Sequence, residues 1–201
     1  MKKIIVILAL LVANFCNVKA DTVTLQLTGV NSAQQGGHAT GPATGTVNGT
    51  PITMVCDDFA HHVSVGQTWT ATVSTFANLS AARFASLPDA VARYQQAAWL
   101  FDQFAVRPTA TGDIQYAIWS LFTPATPVQA GALSWLDMAK KQNLSNFDFS
   151  GFRFYTPVDC SPSSPQEFIA KIPGAPVPEP ATLALLGAGL AGLASLLKKR
   201  N

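Results

Sequence analysis

A short segment near the start of the chain concentrates side chains that could do chemistry. Residues 55–62, Val-Cys-Asp-Asp-Phe-Ala-His-His, hold one cysteine, two aspartates and two histidines in a chain that is only 12% charged. These residue types could bind zinc, but zinc needs three or four ligands that converge. In an extended strand Asp57 and Asp58 point to opposite sides, as do His61 and His62. With the third histidine, His38, in a loop, we predict no metal or cofactor here.

A catalytic cysteine is the second chemistry that this segment suggests. Such a cysteine needs a histidine base that a third group orients. Here His61 and His62 are close to Cys56 only in sequence, and no orienting residue is evident. We therefore predict that the protein is not an enzyme and that the segment is a strand end turning into a polar loop.

The cysteines allow a covalent alternative. The chain has three, and Cys16 lies in the predicted leader, which leaves Cys56 and Cys160. A bridge between them would close a loop of about 105 residues and, by chain entropy, stabilise the fold by roughly 4–5 kcal/mol.

The N-terminus has the pattern of a signal peptide. Lys2 and Lys3 precede an apolar run over residues 4–13, and Val18-Lys19-Ala20 follows with short residues at the two positions that signal peptidase inspects. We predict a signal peptide over residues 1–20 and a mature chain that starts at Asp21.

The C-terminus has a second targeting pattern. A proline-rich spacer leads into seventeen apolar residues, 181–197, and a basic end follows over residues 198–200. At a rise of about 1.5 Å per residue this segment spans roughly 25 Å, which makes it a marginal transmembrane helix. Its basic end is expected to stay cytoplasmic. These features alone would also fit an ordinary membrane anchor.

Together with the sequence Val177-Pro178-Glu179-Pro180, residues 176–201 resemble the PEP-CTERM sorting signal of Gram-negative bacteria. The resemblance implies export, transient insertion in the inner membrane, and cleavage near Pro178-Glu179-Pro180 by an exosortase. Release to the cell surface or extracellular matrix would follow. Proteins with this signal commonly accompany exopolysaccharide production and biofilm formation.

Residues 21–175 remain for an ectodomain, which is long enough for one hydrophobic core. Strand patterns lie at residues 22–30, 50–59 and 67–76, helical patterns cover residues 87–142, and two further strands flank Cys160. The order predicts an α+β fold, an antiparallel β-sheet or sandwich with a packed helical layer, in which Trp99 and Trp119 are buried. No basic patch interleaved with aromatic residues occurs, so nucleic acid is not an expected partner.

Three short motifs resemble the thioester domains of bacterial surface adhesins. They are Val55-Cys56-Asp57, the helical sequence Gln115-x-Ala117-Ile118-Trp119, and Gln166 followed by an acidic and two hydrophobic residues. The resemblance implies that Cys56 provides the thioester sulfur and Gln166 the acyl group. Gln115 and Trp119 would belong to the helix that frames them.

Two functions are consistent with these sequence patterns. With a thioester, an amine on a surface ligand would attack the Cys56–Gln166 bond, and the protein would be a covalent adhesin. With a Cys56–Cys160 disulfide, the same domain would be a non-catalytic structural or binding module of the biofilm or exopolysaccharide matrix. A third possibility is that both thiols are free.

Overall fold

The computed structural model describes residues 21–159 and 161–172, which form a mixed α+β fold. The eight strands are β1 (Thr22–Gly29), β2 (Gln34–Gln35), β3 (His38–Ala39), β4 (Ala43–Val47), β5 (Thr50–Cys56), β6 (Thr68–Ser74), β7 (Phe152–Pro157) and β8 (Phe168–Lys171). The helices are α1 (Ala90–Val106), α2 (Thr111–Phe122) and α3 (Ala130–Lys141), with a 3₁₀ turn at Pro108–Ala110.

Six strands close into an antiparallel barrel in the order β1-β4-β5-β8-β7-β6, whereas β2 and β3 form a separate hairpin. The expected sheet or sandwich is therefore a barrel. Closure occurs because β1 has a partner on each side: Leu25 pairs with Val47 of β4 and with Trp69 of β6. A closed barrel has no unpaired edge strand.

The core has two parts that share the barrel wall. Leu25, Leu27, Met54 and Phe168 fill the barrel interior. The outer face of β5, β7 and β8 instead packs under the helices, which bury the large side chains Tyr94, Leu100, Ile114, Ile118, Phe152, Phe154 and Ile169. Period-two alternation in the strands explains both parts, since neighbouring residues face opposite sides of the wall.

The sequence pattern located five of the six barrel strands and all three helices, but missed β4 and the β2–β3 hairpin. The sequence of β4, Ala-Thr-Gly-Thr-Val, has only small residues where it enters the barrel. Gly45 lies against Met54, and a Cβ at this position would meet the Met54 side chain at 2.5 Å. A strand that must leave room for its neighbour lacks the large apolar residues on which pattern recognition depends.

Trp99 and Trp119 were both expected to be buried, and the structure confirms this for Trp119 alone. Trp119 is buried, with 4% of its surface exposed. Trp99 is only half-buried and packs against Trp135 of α3. Helix α3 packs inward through Ala132 and Ala139 and leaves Leu133 exposed.

The predicted targeting segments, residues 1–20 and 176–201, lie outside the described residues, as does Cys160. Within residues 21–159 and 161–172, no helix has the length and apolar character needed to cross a membrane.

Candidate functional site

A pocket at one end of the barrel brings together the residues of the three motifs. It has a volume of about 180 Å³, and Cys56, Gln115, Trp119 and Gln166 all line it. Its other walls come from the barrel interior, from the β3–β4 connection and from the loop after β5, and include Leu27, Phe168, His38, Thr40, His62 and Val63. Residues that are distant in sequence therefore share one concave site.

The pairing of β5 with β8 fixes how Cys56 lies relative to Gln166. Cys56 is directly opposite Phe168 in this antiparallel pair. The same register places Asp57 opposite Glu167 and Asp58 opposite Gln166. Cys56 and Gln166 are thus diagonal neighbours on one face, with Cβ atoms typically ~7–8 Å apart and within reach of a long side chain.

One backbone oxygen contacts the side chains of both Cys56 and Gln166. The Cys56 thiol donates to the carbonyl oxygen of Asp58 with an S···O distance of 3.1 Å. The Gln166 carboxamide Nε2 donates to the same oxygen at 2.9 Å. The thiol and the carboxamide are therefore neighbours around a single acceptor.

Gln115 attaches α2 to the strand that carries Cys56. Its Nε2 donates to the carbonyl oxygen of Cys56 at 2.7 Å, and its Oε1 accepts the Gly41 backbone N–H at 3.2 Å. Gly41 has φ of 89°, a conformation that favours glycine, and lies close to Thr111. The buried carboxamide satisfies two backbone groups and holds the pocket wall in place.

Trp119 forms an aromatic wall with the hairpin. Its ring lies 6.0 Å from His38, 5.2 Å from Phe59 and 5.1 Å from Tyr116, measured between centroids. Its buried indole N–H has no hydrogen-bond partner of ordinary geometry among the described residues. This N–H is near enough to the Cys56 thiol to lower the thiol pKa.

Other influences outweigh Trp119, so the pKa of the Cys56 thiol is raised well above its usual value. Burial is the largest cause, and the neighbouring acidic groups Asp57 and Asp58 raise the thiol pKa further wherever they are ionised. The thiol is therefore neutral at neutral pH, and its anion would be a poor leaving group.

The Asp-His part of the segment 55–62 forms a structural ion cluster. The fully buried Asp58 carboxylate contacts His61 Nδ1 at 2.8 Å and Arg83 Nε at 3.2 Å. Arg83 continues to Ser164 and to the backbone of Pro165 through Nη2. The cluster thus fastens the loop after β5 to the segment before β8. Among the residues that the structure describes, no three His, Cys, Asp or Glu side chains are grouped to hold a metal ion.

Sequence reasoning missed Arg83 and Glu167. Arg83 lies in a loop with no motif, so nothing in the sequence indicates its role. Glu167 had a signal. It directly precedes β8 and, if the alternation of the strand is extended by one residue, it shares a face with the apolar Ile169, where a charged residue is unexpected.

Comparison with protein families finds one match, the PEP-CTERM protein-sorting motif at residues 176–200. The match covers the C-terminal segment and not the barrel domain. Comparisons with curated proteins and with solved structures find no match. The motif indicates an exported protein that passes through a membrane-anchored sorting stage and is processed by an exosortase.

Cys56 has a free thiol, and Cys160 lies outside the described residues. The Cys56–Cys160 disulfide therefore stays a prediction.

Proposed function

We propose that this exported chain is a non-enzymatic surface or matrix protein that attaches covalently to an amine through a Cys56–Gln166 thioester. The observation that carries the proposal is the contact of both the Cys56 thiol and the Gln166 carboxamide with the carbonyl oxygen of Asp58. Proximity of this kind removes much of the entropic cost of a reaction between two groups.

The bond would form with all atoms accounted for. The Cys56 sulfur attacks the carboxamide carbon of Gln166, an S–C bond forms, and the C–N bond breaks. The nitrogen leaves as ammonia and takes the thiol proton with it. Burial raises the pKa of the Cys56 thiol most, but the Trp119 indole N–H lowers this pKa, which supports a role for Trp119 in stabilising negative charge on the sulfur.

Attachment to a ligand would break the thioester bond between Gln166 and the sulfur of Cys56. An amine of the ligand attacks the thioester carbon, a C–N bond forms, and the C–S bond breaks. The proton that the amine loses returns to the sulfur, so the products are a stable amide and a free Cys56 thiol. The raised thiol pKa supports a long-lived thioester, because a basic thiolate leaves slowly.

The C-terminal sorting motif indicates where the proposed attachment would take place. The match to the PEP-CTERM motif supports delivery to the cell exterior. There, amine-bearing surface ligands or amine-bearing sugars of an exopolysaccharide would meet the pocket, and adhesion within a biofilm of Gram-negative cells would be the biological outcome.

The intact mass of the purified mature domain tests the proposal. We expect the wild-type domain to be lighter than its sequence by one ammonia, and the Gln166→Ala variant to have the mass of its sequence. Gln142→Ala is the matched control, since Gln142 is exposed at the end of α3 and should leave the ammonia loss unchanged.

Cys160→Ser separates the thioester from the disulfide. A thioester survives this substitution, whereas a Cys56–Cys160 bridge, which lowers the mass by two hydrogens, does not. A wild-type mass two hydrogens below the sequence would favour a structural or binding module of the matrix, and an unmodified mass would leave both thiols free. Either result would contradict the proposed thioester.

A further inference from the structure

Behind the pocket, on the opposite face of the same two strands, lie two fully buried carboxyl groups. Asp57 follows Cys56 and Glu167 follows Gln166, and each is 0% exposed. They are directly opposite each other in the extended β5–β8 register, where the Asp57 N–H donates to the Glu167 carbonyl oxygen at 3.4 Å. Because side chains alternate, both carboxyls face the helical layer and not the pocket.

Glu167 has the partners of an ionised carboxylate. Tyr94 Oη of α1 donates to Oε1 at 2.6 Å, and the Arg83 backbone N–H donates to Oε2 at 2.7 Å. The hydroxyl of Thr156 in β7 donates to the same Oε2. Three donors from three separate elements converge on this group, which is the arrangement that stabilises a buried negative charge.

Asp57 has the opposite surroundings. Within the described part of the chain, neither of its buried carboxyl oxygens has a hydrogen-bond partner of ordinary geometry. The charges nearest to it are those of Glu167 and Asp58, both acidic. The nearby cation, Arg83, directs its guanidinium to Asp58 instead. A second ionised carboxylate at this position would be buried without compensation, at a cost that favours protonation.

We propose that Asp57 and Glu167 share one proton and act as positioning residues, which lock β5 and β8 in the register that sets Cys56 diagonal to Gln166. Protonated Asp57 is the donor and the Glu167 carboxylate the acceptor across the strand pair. A register slip by one residue would turn Cys56 or Gln166 to the wrong face and would separate the carboxyls as well. The consequence for the thioester rests on the proposed function, whereas the shared proton does not.

The pKa values agree with this assignment. Burial raises the pKa of Asp57 well above its usual range, and the charges of Glu167 and Asp58 raise it further. Burial also raises the pKa of Glu167, but its hydrogen bonds oppose the rise. The pKa of Tyr94 is raised by burial and then by Glu167, so this phenol stays a neutral donor. The remaining groups near Asp57 are the neutral Cys56 thiol and the Asp58 cluster with Arg83 and His61.

A shared proton predicts a particular pH dependence of stability. The folded protein holds the Asp57 proton more tightly than the unfolded chain, in which the pKa is about 3.9. The resulting stabilisation is fully present below the unfolded pKa and is lost as the pH rises through the folded pKa. Between the two pKa values the unfolding equilibrium constant should rise about tenfold for each pH unit from this proton alone.

Asp57→Asn tests the assignment, since an amide remains neutral at every pH and still donates to Glu167. Urea unfolding of the wild-type ectodomain and of this variant would be compared from pH 4 to pH 8. We expect the variant to fold and to lose the tenfold-per-unit dependence. Asp137→Asn is the matched control, because Asp137 is exposed on α3 and should leave the wild-type pH profile intact. Identical pH profiles for Asp57→Asn and wild type would overturn the shared proton.

Intact mass of the same proteins tests the positioning role. Asp57→Asn should still lose ammonia, whereas Glu167→Gln, which loses the acceptor of three donors, should show a several-fold smaller thioester fraction. Full thioester formation in Glu167→Gln would overturn positioning.

If the wild-type protein loses no ammonia, the proposed function and the positioning role both fail, and the pH comparison still decides the shared proton. If Glu167→Gln does not fold, a full thioester in the shorter Glu167→Asp variant would overturn positioning.

Discussion

The side chain of Trp119 presents two separate features to Cys56, an aromatic surface and an N–H group. The surface contributes to a wall with Phe59 and Tyr116 that would keep water from a thioester. The N–H approaches the sulfur and lowers the thiol pKa against the larger effect of burial. Phenylalanine at position 119 would keep most of the aromatic surface and would remove the N–H group.

We therefore predict that Trp119→Phe makes the Cys56 thiol less reactive. The test uses a background of Gln166→Ala and Cys160→Ser, in which Cys56 is the one thiol of the mature chain. A hydrogen bond worth about 1 kcal/mol to the thiolate corresponds to a roughly fivefold slower alkylation at fixed pH. Trp135→Phe is the control, since Trp135 packs with Trp99 in the helical layer. Equal alkylation rates in all three proteins would show that the indole N–H does not act on the sulfur.

At the scale of elements, the site depends on how β5, β8 and the loop before α1 are joined. Arg83 joins them: its Nη2 donates to Ser164 Oγ at 3.0 Å and to the Pro165 carbonyl oxygen at 2.9 Å, while Nε pairs with Asp58. The planar guanidinium reaches these groups at once, which an ammonium group cannot do. Gln166 directly follows this anchored segment.

Arg83→Lys should therefore destabilise the ectodomain although it keeps the charge. Loss of at least one buried hydrogen bond predicts a decrease of about 1–3 kcal/mol in the free energy of unfolding, measured by urea denaturation. Arg107→Lys is the matched control, because Arg107 is exposed after α1 and should change stability by less than about 0.5 kcal/mol. Equal stability of the two variants would contradict the anchoring role of Arg83.

The same elements show what a sequence pattern can and cannot predict here. Alternation of apolar residues was enough to place β1, β5 and β8, because each strand has one face in the barrel interior. It was not enough for barrel closure, since the pairing of β1 with both β4 and β6 joins segments that are far apart in sequence. Small residues at Ala43 and Gly45 hid β4 altogether.

Part of the candidate site could be predicted from the sequence and part could not. The motifs named Cys56, Gln115, Trp119 and Gln166, and all four line one pocket, while their roles in a thioester stay a prediction. The Asp57–Glu167 pair could not be predicted, because its existence depends on a strand register that the sequence does not state. An acidic residue at each of two core-facing strand positions was the available signal.

For the whole molecule, the two ends predict a chain that is cut twice. Surface-released protein should begin at Asp21 and lack residues 183–201, because signal peptidase removes the leader and the exosortase cuts near Pro178-Glu179-Pro180. Terminal peptide mapping by mass spectrometry would measure both ends. Recovery of the intact C-terminus solely in the membrane fraction would instead indicate a permanent anchor.

Between those ends, the barrel and its helical layer bring Cys56 and Gln166 to one pocket. We propose that the acyl group of Gln166 is bonded to the sulfur of Cys56, and treatment with isotopically labelled methylamine tests this bond most directly. Peptide mapping after treatment of the native domain should find a methylamide at residue 166 and a newly free thiol at Cys56, with neither in the Cys56→Ala variant. An unlabelled Gln166 in the folded wild-type domain would contradict the account.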